Sequence, residues 1–396
     1  MKDHRQIVAG VCILLFAVSV VLFLLLGAVS GREISQLENR TLTAFPVLST
    51  DTFLNSSFQD DLEDALGDHL LGSEAIRSLV RDGQAKALNA EQEILYAMNP
   101  SLKTGYSQIT DGYYSYNGDV SRIVEKPADP TAWTEQLQSF AEQVNAIPGV
   151  RTFLYFIRNS RSVDFDHPEN SDALYNWICS FFQCEKIGAF SFTDYVDYCR
   201  WFYQTDHHWN DRGSYRGYCE IVDLMELGSP VEHGEETEFP FIFNGAYARQ
   251  TSRLCANEPF RVYSFDLPKH TVTLNGKRGK YGRLDAYLKG RYETDPLTNH
   301  YANCYGGEYG EIVYDFGTEG KGNLLVIASS YSNPINALIA SHFDRTTVVD
   351  PRYWEKWTGK PFDPASCAEA AKADTILLLG DIRLFTSDLA GEGGAD

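Results

Sequence analysis

The chain has 396 residues, which gives room for one large or two moderate domains and a sizeable hydrophobic core. With 43% hydrophobic and 22% charged residues, and with 23 Tyr and 23 Phe, the composition excludes a disordered or fibrous protein. The formal charge of −20 argues against a generic nucleic-acid binder, and it disfavours a polyanionic ligand unless a local basic groove overrides the overall field.

From Ile7 to Ser30 the chain is uncharged and mostly apolar, long enough as a helix to cross a bilayer. Lys2 and Arg5 precede this run and Arg32 follows it, so the positive-inside bias predicts a cytoplasmic amino terminus and an exported remainder. Ala28-Val29-Ser30 has the small residues of a leader cleavage site. The apolar run exceeds the roughly 7–15 residues usual in a cleaved signal, however, and so predicts an uncleaved, single-pass signal-anchor in the cell membrane. Three regions are expected: a cytoplasmic tip and anchor over 1–31, a membrane-proximal tether with docking helices over 32–110, and an α/β domain over 111–396.

Eight cysteines occur, with Cys12 inside the apolar run. Outside it lie Cys179, Cys184, Cys199, Cys219, Cys255, Cys304 and Cys367, an odd number whose spacing fixes no disulfide connectivity. Cys179-x4-Cys184 has no second ligand pair after it to complete a zinc site, so these residues read as small buried hydrophobes. The sequons at Asn39 and Asn55 are too common a pattern to carry a function.

Phe58, Leu62, Leu66 and Ile76 to Val80 follow a helical pattern after the polar approach segment Glu38 to Pro46. Gly112 to Gly118 places turn residues between tyrosines and predicts a short hairpin. Trp133, Leu137, Phe140, Ala141 and Val144 then repeat at helical spacing. Pro148-Gly149 ends that helix, and Thr152 to Ile157 reads as a strand. Leu324 to Ala328, Thr346 to Val349 and Thr375 to Leu379 add apolar strands, with a helix opened by Asn333-Pro334 and another over Ala365 to Ala373. This alternation predicts a doubly wound parallel sheet covered on both faces. Between about 232 and 317 the texture changes, and Val272 to Gly276 reads as a hairpin within a β-rich insertion.

The densest chemical cluster is Thr205-Asp206-His207-His208-Trp209-Asn210, at a loop-to-helix junction. In extended backbone, residues two apart point the same way, so Asp206 and His208 can lie side by side while His207 faces elsewhere. A carboxylate holding one ring nitrogen leaves the other free to accept a proton, the arrangement used in nucleophilic acyl chemistry; a capping Asp beside a structural His is the plainer alternative. Metal binding by both histidines and Asp206 or Asp211 demands an irregular turn, so no metal is expected. A nucleophile is available in Ala328-Ser329-Ser330-Tyr331-Ser332, on the turn leaving an apolar strand, where ligands of open α/β sheets bind. Ser329 can end the strand and Ser332 can cap the next helix, which leaves Ser330 at the apex. A turn-forming serine cluster without catalysis is the alternative. Tyr331 and Trp209 offer rings for packing against a sugar, with core packing as the alternative role.

Thr205 to Asn210 resembles the signature for which the bacterial DHHW family is named. Glu38-Asn39-Arg40 with Phe45-Pro46 is similar to that family's membrane-proximal segment. Ala328 to Ser332 resembles the Gly-Thr-Ser-Tyr-Ser nucleophile turn of alginate O-acetylation proteins, departing from it at Ala328 and Ser329, and Asp350-Pro351-Arg352-Tyr353 resembles a segment that follows that turn. The resemblance implies an SGNH-hydrolase-like fold in circularly permuted order, with Asp and His preceding Ser. It implies Ser330 as nucleophile, His208 as general base and Asp206 as the carboxylate that orients it, with Arg352 contacting substrate or oxyanion unless it forms a strand-end ion pair. It further implies O-acetylation of an exported or cell-wall polysaccharide, beside a membrane-bound O-acyltransferase as acyl-donor partner, with no cofactor. A carbohydrate acetyl-esterase with the same three residues, or a non-catalytic glycan-binding scaffold of an export system, are the competing functions. The acidic composition favours a neutral or cationic glycan over a polyanion.

Overall fold

The computed structural model describes residues 34–35, 40–46, 57–69, 73–253, 257–295, 297–307 and 309–390. The expected anchor at Ile7 to Ser30 lies outside them, and among the described residues no helix is long and apolar enough to cross a membrane. The chain divides into two units, residues 1–88 with 395–396 and residues 89–394. In the first unit, β1 (Ile34–Ser35) pairs antiparallel with β2 (Arg40–Thr41). Two helices, α1 (Ser57–His69) and α2 (Ser73–Met98), the second of which continues past residue 88, occupy the stretch expected to hold docking helices. The amide of Thr43 donates to Asp68 Oδ2 (2.9 Å), fixing the approach segment to the end of α1.

In the second unit, β3 (Tyr106–Thr110), β4 (Tyr113–Tyr116) and β5 (Asp119–Val124) form an antiparallel meander, one strand more than the predicted hairpin. There follow α3 (Thr134–Asn145), β6 (Arg151–Ile157), α4 (Pro168–Cys179), β7 (Lys186–Phe190), α5 (Tyr195–Trp201) and α6 (Asp211–Leu224). Next come β8 (Glu236–Ile242), α7 (Ala246–Thr251), β9 (Pro259–Tyr263), β10 (Thr271–Leu274), β11 (Lys277–Gly279), α8 (Leu284–Leu288), α9 (His300–Tyr305) and β12 (Glu311–Asp315). The chain closes with β13 (Asn323–Ala328), α10 (Asn336–Ala340), β14 (Arg345–Val349), α11 (Pro351–Thr358), α12 (Pro364–Ala371) and β15 (Thr375–Gly380).

The main sheet has the order β11-β10-β12-β14-β13-β15-β6-β7. Its five strands from β14 to β7 are parallel, and β12, β10 and β11 extend it antiparallel. The region expected as a separate β-rich insertion therefore gives three of its strands to the main sheet and three short helices besides. Within this region β8 and β9 form a separate antiparallel pair. Its tyrosines and charges suit an edge that faces water on one side, which is why its texture differs from the apolar central strands.

Alternation along the central strands sorts the core into two faces, since side chains point to opposite sides at successive residues. Tyr155, Val326, Ala328 and Leu379 pack with Tyr218, Ile221 and Val222 of α6. Leu154, Ile327 and Leu378 pack with Leu137, Phe140, Ala141 and Val144 of α3 and with Cys367 and Ala368 of α12. Fully burying each such Leu, Ile or Phe stabilises the fold by about 1.5–3 kcal/mol. The described cysteines are free thiols. Burial pushes the Cys184 thiol up to about 12, as expected of a small hydrophobe rather than a reactive sulfur.

Helix α6 begins where Asn210 Oδ1 accepts the amide of Gly213 (2.9 Å). It crosses directly over the indole of fully buried Trp209, and a Cβ on Gly217 would come to 2.4 Å from Trp209 Cζ3. We therefore expect Gly217→Ala to destabilise the fold by about 1–3 kcal/mol in urea unfolding through overpacking. A loss below about 0.5 kcal/mol, the range of neutral surface changes, would mean that the indole moves aside freely.

Candidate active site

Ser330 lies just beyond the carboxyl end of β13, where a short 3-10 turn (Ser330–Ser332) redirects the chain toward α10. Asp206 and His208 come from the irregular segment between α5 and α6. The structure brings the three together: Asp206 Oδ1 is 2.6 Å from His208 Nδ1, and His208 Nε2 is 2.8 Å from Ser330 Oγ. Asp206 Oδ1 also accepts the amide of His208 (3.0 Å), and its Oδ2 accepts the amide of Ala246 (2.8 Å). Burial opposes the Asp206 charge, but the His208 and His207 imidazoles and the Ala246 amide outweigh it and hold the carboxyl below its ordinary range. A Cβ on Gly245 would come to 2.3 Å from Asp206 Cβ, so only glycine allows this approach.

The ring of His207 lies beside that of His208, with centroids 3.9 Å apart, and its Nδ1 is 3.5 Å from Asp206 Oδ1. Asp206, His207 and His208 thus offer three donors within 4.8 Å of one another. A cation there would take Asp206 Oδ1 away from His208 Nδ1, so metal binding and the Asp–His–Ser hydrogen-bond chain compete for the same atoms.

The aromatic-platform expectation gives way on burial. Tyr331 is 1% exposed and Trp209 is fully buried, so neither has a face to offer a sugar. Trp209 Nε1 instead donates to Tyr331 O (3.1 Å), tying the histidine segment to the serine turn. The Tyr331 hydroxyl donates to His207 O and accepts from Asn159 Nδ2, which also donates to Asp381 Oδ2 (2.8 Å). Asn159 and Asp381 follow the carboxyl ends of β6 and β15, so this buried network draws three strand ends together. Arg352 is held in the ion-pair alternative: its buried guanidinium contacts Asp350 through Nε–Oδ1 (3.0 Å) and Nη2–Oδ2 (2.8 Å).

Sequence reasoning missed Tyr301, Glu258 and Arg122. Tyr301, on α9, stacks on His208 with centroids 3.8 Å apart and planes 15° apart, and its hydroxyl donates to Ser330 O (3.1 Å). It thus holds the imidazole with its ring face and the serine turn with its hydroxyl. The buried Glu258 carboxylate accepts the amides of Gln204 and Thr205 and the Thr205 hydroxyl (2.6 Å). Arg122, on β5, donates to the carbonyls of Cys199 (3.1 Å), Phe202 (3.0 Å) and Tyr203 (2.6 Å). A single Tyr, Glu or Arg in unremarkable surroundings gave no pattern that could mark it.

Burial raises the Glu258 carboxyl to about 7 from 4.5, against the opposing hydrogen bonds from Thr205 and Gln204. The folded chain holds this proton more tightly than the unfolded chain does. The resulting stability is full below pH 4.5 and is lost as the pH rises through about 7. Wild type should therefore be more stable relative to Glu258→Gln at about pH 5 than at about pH 8, measured by urea unfolding. A difference that does not change with pH would refute the raised value.

No family model and no curated protein matches the sequence. Solved structures do match in fold. A DHHW family protein from Eubacterium siraeum aligns over 72% of this chain and 96% of its own, with a TM-score of 0.53 and 13% identity. Bacillus cereus PatB1 with a sulfonyl adduct aligns over 72% of this chain and 98% of its own, at 0.54 and 15%; a second PatB1 structure covers 68% and 96%, at 0.51 and 15%. At these identities the likeness is one of architecture: the mixed α/β fold with its parallel sheet is that of a DHHW family protein and of PatB1.

Proposed function

We propose that this chain is an O-acyltransferase that moves an acyl group, in our reading acetyl, onto a hydroxyl of an exported or cell-wall polysaccharide. The hydrogen-bond chain from Asp206 through His208 to Ser330 carries the proposal. His208 Nε2 takes the proton from Ser330 Oγ as that oxygen attacks the donor carbonyl, and Asp206 steadies the resulting imidazolium. The carbonyl becomes a tetrahedral oxyanion, held by the leading amides of the 3-10 turn at Ser330 and Tyr331, whose N–H groups precede any carbonyl the turn itself offers. Collapse expels the donor's leaving group with the proton from His208 and leaves an ester on Ser330 Oγ. A sugar hydroxyl, deprotonated by His208, then attacks that ester, and the proton returns to Ser330 as the acylated sugar departs.

The sulfonyl adduct in PatB1 supports the same reading, because sulfonyl electrophiles capture activated nucleophiles such as a serine paired with histidine. The signal-anchor at Ile7 to Ser30, an exported orientation and a membrane-bound O-acyltransferase as the donor partner belong to the same proposal and rest on the apolar run and the family resemblance. Water in place of the sugar hydroxyl would make this an esterase, so the acceptor decides between the two activities.

The deciding measurement offers a chromogenic acetyl ester and an oligosaccharide acceptor to the full chain and follows acetyl release and acetyl transfer separately. We expect acetylated oligosaccharide, and loss of both transfer and sulfonyl fluoride labelling in Ser330→Ala. Acetate release with no acetylated sugar would favour the esterase; unaltered glycan acetylation in cells carrying only Ser330→Ala would favour the scaffold. Asp206→Asn should lower kcat by roughly 10³–10⁴-fold, the cost of presenting the imidazole in the wrong tautomer. A fall of less than about tenfold would remove Asp206 from the mechanism.

A further inference from the structure

The two amides that face the proposed oxyanion belong to successive peptides, Ser329–Ser330 and Ser330–Tyr331, and the carbonyl end of each peptide accepts two hydrogen bonds. Ser329 O accepts the amide of Ser332 (3.1 Å) and the hydroxyl of Ser332 (3.1 Å). Ser330 O accepts the amide of Asn333 (3.1 Å) and the hydroxyl of Tyr301 (3.1 Å). Each carbonyl thus receives one backbone N–H and one side-chain O–H. Any 3-10 turn supplies the first, because its bonds run from a carbonyl to the amide three residues on. The hydroxyls are additions that depend on the side chains at 301 and 332.

In a planar trans peptide the C=O and the N–H point in opposite directions. A donor placed on the carbonyl oxygen draws electron density from the far end and makes that N–H a stronger donor, a cooperative gain of about 10–30% per bond. The Ser329 carbonyl shares its peptide with the Ser330 amide, and the Ser330 carbonyl shares its peptide with the Tyr331 amide. Ser332 and Tyr301 are both buried, so these bonds stand in an interior of low dielectric where each counts for more than at a surface.

The two hydroxyls differ in reach. Ser332 lies within the turn itself, whereas Tyr301 comes from α9 and its ring also lies on the His208 imidazole, with centroids 3.8 Å and planes 15° apart. Helix α9 is tied to the turn at a second point, since Asn333 Nδ2 donates to Gly306 O (2.8 Å) just past its end. Asn333 Oδ1 is in turn held by the Tyr281 hydroxyl (2.8 Å). One short helix therefore meets both the base and the peptide that faces the oxyanion.

We propose that Tyr301 and Ser332 are positioning residues for the acyl step. The Tyr301 hydroxyl polarises the Tyr331 amide and the Ser332 hydroxyl polarises the Ser330 amide, while the Tyr301 ring holds His208 Nε2 in line with Ser330 Oγ. The proposal rests on the acyl-transfer reading above and adds to it the groups that act through the backbone. A bound donor's neutral carbonyl asks little of these amides, whereas the tetrahedral oxyanion carries a full charge. Loss of a hydroxyl therefore falls on kcat and leaves KM unchanged.

The test is steady-state kinetics of the full chain on a chromogenic acetyl ester, together with inhibition by a boronic acid, whose adduct on serine is a tetrahedral anion with an oxygen facing the same amides. Tyr301→Phe keeps the ring and loses the hydroxyl. We expect Tyr301→Phe and Ser332→Ala each to lower kcat about tenfold with KM within about twofold of wild type, a part of the roughly 10²–10³-fold that a whole oxyanion donor supplies. Boronic acid affinity should fall by the same factor as kcat. Tyr301→Leu, which removes the ring as well, should lose about a further tenfold in kcat through misalignment of the base. Melting curves check that each variant folds, and Ser332→Ala tests the polarisation without touching α9. Unchanged kcat in either hydroxyl variant, a rise in KM at constant kcat, or a fall in kcat with boronic acid affinity intact would each overturn the proposal; Tyr301→Leu no slower than Tyr301→Phe would overturn the part given to the ring. Failure of the acyl chemistry itself shows differently, as a wild type that takes no sulfonyl fluoride label at Ser330, whereas failure of the polarisation alone leaves labelling and wild-type turnover in place.

Discussion

The site depends on one contact, His208 Nε2 to Ser330 Oγ, between residues 122 positions apart. Ser330 is easy to place, because it follows a fully buried strand in the middle of a parallel sheet. His208 is not, because it stands in an irregular segment whose backbone pairing is a single bridge between Phe202 and Trp209, with the Tyr203 amide donating to the His208 carbonyl. Buried backbone outside regular structure must still satisfy its amides and carbonyls, and here Glu258 takes the amides of Gln204 and Thr205 while Arg122 takes the carbonyls of Cys199, Phe202 and Tyr203. Trp209 then joins the segment to the serine turn. Buried charged groups thus complete for this loop what one short bridge leaves undone.

This construction keeps ionisable groups under strong and opposite pressures. Asp206 and Glu258 are carboxyls in one small region, and burial penalises the charge of both. Asp206 stays anionic because two imidazoles and the Ala246 amide face it, while Glu258, with hydrogen bonds to Thr205 and Gln204 and a more distant Arg122, is pushed up to about 7. The difference suits their positions: the carboxylate that orients an imidazole must remain charged, and one that only gathers amides can hold a proton without losing every acceptor.

The parallel core was legible in the sequence because its strands are short apolar runs and its helices carry apolar residues at a period near four, signals that arise from burial itself. Asp206 and His208 were legible for a different reason: they stand two residues apart in sequence, and Ser330 stands at a strand-to-turn junction that the hydrophobic pattern marks. Tyr301, Glu258 and Arg122 act through contacts distant in sequence, and a single Tyr, Glu or Arg carries no period. For Trp209 and Tyr331 the sequence left a sugar platform and core packing both open, and burial decides for packing. Their place beside a candidate site suggested exposed platforms, but the same junctions need large rings to fill the space beneath them. The aromatic texture of residues 232–317 likewise signalled a change of environment, from two covered sheet faces to an antiparallel edge, rather than a separate β-rich body.

Net charge, too, is a signal that averages over the surface. A total of −20 predicts repulsion of anions only if the charges are spread evenly, and here they are not. Carboxylates such as Glu125, Glu185, Glu220, Glu226 and Glu238 lie against arginine or lysine partners, so much of the acidity is neutralised where it stands. A ligand within a Debye length of the surface responds to such local imbalance and not to the sum.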